Sequence, residues 1–127
     1  MIKQQFDVEG YWKVVVYYSL DYDFFDDVEF ELRKIDFPEA AIEEVYDTMS
    51  SGEAKGVTCS MIPSHTSVVL FNHHSSKADY INTIVHEATH VMQSMLKAYN
   101  VENKGEAPAY TVGYLVKRMW EVFRTIA

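Results

Sequence analysis

The sequence predicts one α+β domain: a small mixed sheet with an edge hairpin, packed against helices. Three observations predict it. Tyr11 to Leu20 is dense in β-branched and aromatic residues, as a buried strand is. Two shorter runs of the same kind, Gly56 to Ile62 and Ser67 to Asn72, flank the turn material Pro63-Ser64-His65-Thr66 and read as a hairpin. Four other stretches repeat apolar residues at steps of three and four, the helical period. At 127 residues and 48% hydrophobic content, the chain can bury one core but not two.

The run from Tyr11 to Leu20 is almost continuously apolar, which predicts a central position in the sheet. Asp21 to Phe25 is an acidic turn. Phe24, Val28, Leu32 and Ile35 then mark a helix that Phe37-Pro38 ends. Pro38 suits the first turn of a second helix through about Met49, with Ala41, Ile42, Val45, Tyr46 and Met49 as its inner face and Gly52 as its stop. Both helices carry their acidic residues outward, so their expected task is to cover the sheet.

After the hairpin, Ser76 to Tyr99 reads as a long amphipathic helix. Its apolar positions include Ile81, Ile84, Val85, Ala88, Val91, Met92 and Met95, and Ser76 with Asp79 fits a capping box at its start. Asn100 to Gly105 is a polar loop. Pro108 opens a last helix from Ala109 to about Thr125, with Tyr110, Leu115, Val116, Met119, Trp120 and Phe123 as core candidates.

The net charge of −8 is unevenly spread: residues 1–53 carry −10 and residues 54–127 carry +2. An acidic surface repels phosphates, so nucleic acid is not an expected partner, whereas a basic protein could face the acidic half. No run of 18 apolar residues exists to span a membrane, and the first ten residues lack the apolar region of a signal peptide. Cys59 has no second cysteine to pair with. A cytoplasmic protein is expected.

The chemistry concentrates in His86-Glu87-Ala88-Thr89-His90, an H-E-x-x-H sequence in the middle of the long helix. One helical turn separates the two histidines, so both imidazoles project from one side and can share a zinc ion. Glu87 lies about 100° further round the axis, beside such a metal rather than on it, where it can act as a general base. An exposed polar stripe of Asn82, His86, His90, Gln93 and Lys97 is the plainer alternative for the same residues.

Catalytic zinc takes three protein ligands and keeps an open position. The longer H-E-x-x-H-x-x-G-x-x-H pattern is absent, because Gln93 stands at the glycine position and Leu96 at that of the third histidine. Glu106, sixteen residues after His90 where the loop meets the last helix, is the expected third ligand of one zinc per chain. Glu102 competes with it, as do the more remote His73, His74 and Asp79.

A hairpin, H-E-x-x-H on a helix, and a glutamate opening the next helix in Gly105-Glu106-Ala107-Pro108-Ala109-Tyr110 together resemble small gluzincin-like zinc metallopeptidases of the kind encoded by phages and bacteria. The likeness covers about residues 56–118. It implies a zincin-like domain acting on a peptide or protein substrate that lies along an edge strand, here Ser67 to Asn72. Larger relatives carry an N-E-x-x-S-D segment whose aspartate orients a zinc histidine, and Gly105 to Ala109 lacks it.

On this reading His86, His90 and Glu106 bind zinc and Glu87 moves the proton. Tyr110, His73 and His74 are candidate donors to the developing oxyanion, with Tyr110 the preferred catalytic assignment. His65 is expected at the surface. Two other readings fit the same residues: a zinc-stabilised binding or regulatory protein without turnover, and an acidic interaction module in which the motif is coincidental.

Overall fold

A computed structural model describes all residues from Met1 to Ala127. In chain order the elements are β1 (Ile2–Val8), β2 (Trp12–Tyr18), α1 (Phe25–Lys34), α2 (Glu39–Ser50), β3 (Gly56–Met61), β4 (Thr66–Phe71), α3 (Lys77–Ala98) and α4 (Glu106–Ile126). The expected α+β class is observed: four helices enclose one four-stranded mixed sheet of order β1-β2-β4-β3. β2 and β4 run parallel, while β1 and β3 pair antiparallel with their neighbours. No helix is long and apolar enough to cross a membrane.

β2 is central, as its apolar run requires. Its side chains alternate between two apolar clusters, one on each face of the sheet, where the chain length predicts a single core. Val14, Val16 and Tyr18 point toward α3 and α4, whereas Val15 and Tyr17 point toward α1 and α2. β4 behaves the same way, with Val69 and Phe71 in the first core and Val68 and Leu70 in the second. The two acidic helices therefore cover one face of the sheet. Arg33 ties them together, donating to Glu29 at 2.9 Å and to Glu39 at 2.7 Å.

One strand of the sheet was not foreseen, and one expectation about the sheet needs correction. Ile2–Val8 forms a strand that its mixed composition, Lys3-Gln4-Gln5 before Phe6, did not announce. It joins β2 through a turn with left-handed backbone at Glu9 and Gly10 (φ 53° and 75°). The strand at the hairpin edge is β3, not Ser67 to Asn72. β4 is buried along its whole length between β2 and β3, whereas only Cys59 of β3 is buried.

The helices keep narrower inner faces than their apolar residues allow. In α4 only Leu115, Met119 and Phe123 are buried, one residue per turn, while Trp120 is 49% exposed and Tyr110 72% exposed. That helix lies beside α3 and touches β1, so a single stripe meets the core. Likewise Ile81 and Val85 of α3 and Tyr46 of α2 are exposed. The start of α3 follows the sequence: the Ser76 hydroxyl accepts from the Asp79 N–H at 3.0 Å.

Candidate metal and proton-transfer site

The motif helix lies against the sheet edge formed by β3, and a glycine sets how closely. A Cβ on Gly56 would stand 2.7 Å from the Thr83 Cγ2 and 3.1 Å from the Glu87 Cγ. Only a residue without a side chain lets the strand approach α3 this far. The approach brings Thr58, two residues on and on the same side of the strand, against Glu87. The Thr58 hydroxyl lies 2.9 Å from the Glu87 Oε1 and 3.2 Å from the Glu87 main-chain oxygen.

Glu87 is only 4% exposed, an unusual state for a carboxylate. Its second oxygen, Oε2, faces His86 at 3.9 Å from Nε2. His86 itself opens to solvent, its side chain 65% exposed. The His86 and His90 rings meet edge to face, and their Nε2 atoms stand 3.2 Å apart. His90 is held from behind by Gln93, whose Oε1 lies 3.2 Å from Nδ1. With the Nδ1 proton donated to that amide oxygen, His90 carries its free lone pair on Nε2, toward His86.

These groups line a cavity of about 570 Å³ between β3 and α3, with Ser60, Ser94 and Lys97 along its wall. The pair fits a zinc ion: two nitrogens on one tetrahedral zinc, each bonded at about 2.0–2.1 Å, stand about 3.3 Å apart. Gln93 gives His90 a partner on Nδ1 that fixes its ring, a contact sequence reasoning left unassigned. Thr58 and Gly56 were also missed. Their strand lies far from the motif in sequence, and nothing local marks the contact.

The remaining predicted residues lie elsewhere. α4 runs antiparallel to α3, with Phe123 packed on Tyr80 at 4.9 Å near one end. At the other end Tyr110 borders a groove with Tyr11, Met95 and Tyr99, away from the histidine cavity. Glu106 is one turn before Tyr110 and exposed, and no three His, Cys, Asp or Glu side chains stand together at metal-holding spacing. Glu102 pairs with Lys104 at 2.9 Å. Asp79 lies in the first turn of α3, where its main-chain N–H donates to the capping Ser76 hydroxyl.

His74 is engaged at both nitrogens, with the Asn72 carbonyl 2.7 Å from Nδ1 and the Thr83 hydroxyl 2.9 Å from Nε2. Burial holds its pKa below the usual imidazole value. His73 is exposed, and His65 stacks on Trp12 at 5.5 Å between ring centres. The Cys59 thiol is pushed up to about 12 by burial, which makes it inert as a nucleophile. The structure thus brings His86, Glu87 and His90 together and leaves Glu106 and Tyr110 apart from them. Comparison with protein-family models, with curated proteins and with solved structures returns no match to this chain.

Proposed function

We propose that this chain is a small zinc-dependent peptidase whose site is the cavity between β3 and α3. The observation that carries the proposal is the 3.2 Å separation of the His86 and His90 Nε2 atoms, with a buried glutamate oxygen beside them. His86 and His90 would hold the ion. Zinc would supply Lewis-acid polarisation and bring the pKa of a water toward neutrality. Glu87 takes the water proton on Oε2 and later gives it to the leaving amine. The free edge of β3 offers unpaired main-chain groups for an extended peptide.

Glu106 remains the proposed third ligand, and to serve it must approach the histidines through a shift of the loop 99–105 and the first turn of α4. That requirement favours a second reading, a zinc-binding protein without turnover. Elemental mass spectrometry on untagged protein, with Glu106→Ala and Glu87→Gln beside the wild type, tests both. One zinc per chain, lost or weakened in Glu106→Ala, supports the three-ligand site. Glu87→Gln should keep zinc and lose peptide hydrolysis. Zinc without hydrolysis in the wild type would leave the second reading, and no zinc would end both.

A further inference from the structure

We propose that Thr58 is the positioning residue for Glu87: its hydroxyl holds one carboxylate oxygen so that the other faces the histidine pair. The inference rests on the peptidase reading for its catalytic consequence, but the contact itself does not depend on a metal. Glu87 is buried, and the side-chain donor to its carboxylate is Thr58, at 2.9 Å on Oε1. The 3.9 Å approach to the His86 Nε2 is made by Oε2 instead. The two oxygens are thus divided between a fixed donor and the cavity.

The hydroxyl has one proton and two acceptors in reach, the carboxylate and the Glu87 main-chain oxygen. The carboxylate bond is the shorter of the two and charge-assisted, so the proton belongs there. The terminal torsion of a glutamate is broad and roughly two-fold, so an unheld carboxylate would turn freely. Threonine suits the task because its branched Cβ restricts the hydroxyl direction. Gly56 completes the device, since any side chain there would push β3 off α3 and draw Thr58 away from Glu87.

Two measurements test this. The first uses the metal-free chain: a double-mutant cycle of Thr58→Val and Glu87→Leu on the urea unfolding equilibrium. A direct bond to a charged group predicts non-additivity on the order of tenfold in the unfolding constant. Additive effects would overturn the proposal. The second uses the zinc-loaded protein and a peptide substrate. Thr58→Val should lower kcat by about tenfold or more with KM and zinc content unchanged, and Thr58→Ser should restore most of it. An unchanged kcat, or a failure of serine to rescue, would overturn the positioning role. If the wild type binds zinc but hydrolyses nothing, the peptidase reading falls, and the cycle alone decides whether Thr58 holds Glu87.

Discussion

Gly56 and Glu87 approach so closely that a Cβ on the glycine would lie 3.1 Å from the glutamate Cγ. This contact joins the edge of the sheet to the middle of the motif helix, and the candidate site is built at the junction. Gly56→Ala must also displace Thr83, whose Cγ2 lies 2.7 Å from the new atom, or shift the strand against the Leu70 carbonyl. The expected cost is about 1–3 kcal/mol, the usual range for overpacking, measured by urea unfolding. The separation should also weaken the Thr58–Glu87 bond, so Gly56→Ala should reduce the non-additivity between those two residues.

Gln93→Ala should leave stability within about 0.5 kcal/mol of wild type, because Gln93 is exposed. Its effect should appear in metal binding. Without an acceptor on Nδ1, His90 loses its preferred tautomer and orientation, and zinc affinity should fall by about tenfold or more. Competition with a chromogenic chelator measures it. Equal affinity in the two proteins would remove Gln93 from the site.

Stability should depend on pH through His74. Its pKa is lowered in the folded chain, chiefly by burial, so the unfolded chain binds the proton more readily. The stabilisation is fully present above the unfolded value of about 6.5 and is lost as pH falls through the lower folded value. Thermal unfolding followed across that window should show the loss in the wild type, and His74→Gln should remove this component of the slope.

Asp27 acts in the same direction at lower pH. The Tyr17 hydroxyl and then the Lys3 ammonium hold its carboxyl below the ordinary range. Its contribution is present above the unfolded value of about 3.9 and disappears as pH drops toward the folded one. Asp27→Asn should therefore flatten the acid limb of the stability curve while leaving the slope near neutrality unchanged.

The last helix offers a test of packing. Met119 is fully buried and Trp120 is half exposed, although both are large and apolar. Met119→Ala should cost about 2–5 kcal/mol, and Trp120→Ala much less, by denaturant unfolding. Comparable losses would mean that Trp120 is covered in solution.

Much of this protein was legible in the sequence because it depends on neighbours along the chain. The period of α3, its Ser76 cap and the one-turn step from His86 to His90 are local. The step alone brings the two imidazoles to one side, since helix geometry leaves little choice. The central position of β2 followed from its unbroken apolar run. The apolar stripes of the two acidic helices were local as well. Val28, Leu32, Ile42 and Val45 cover the sheet as expected, although the separate second core they form there was not foreseen.

The tertiary structure decided what no local pattern encodes. A hairpin predicts that β3 and β4 pair, but not which of them meets β2, and that choice left β3 as the edge. It also put Thr58 rather than a β4 residue beside Glu87. Glu106 is the first residue of α4, three residues before the expected helix start at Ala109, and the antiparallel packing of α4 against α3 carries it to the far end of the motif helix. Strand order and helix placement arise from burying whole faces at once, so contacts between distant residues appear only when those faces meet.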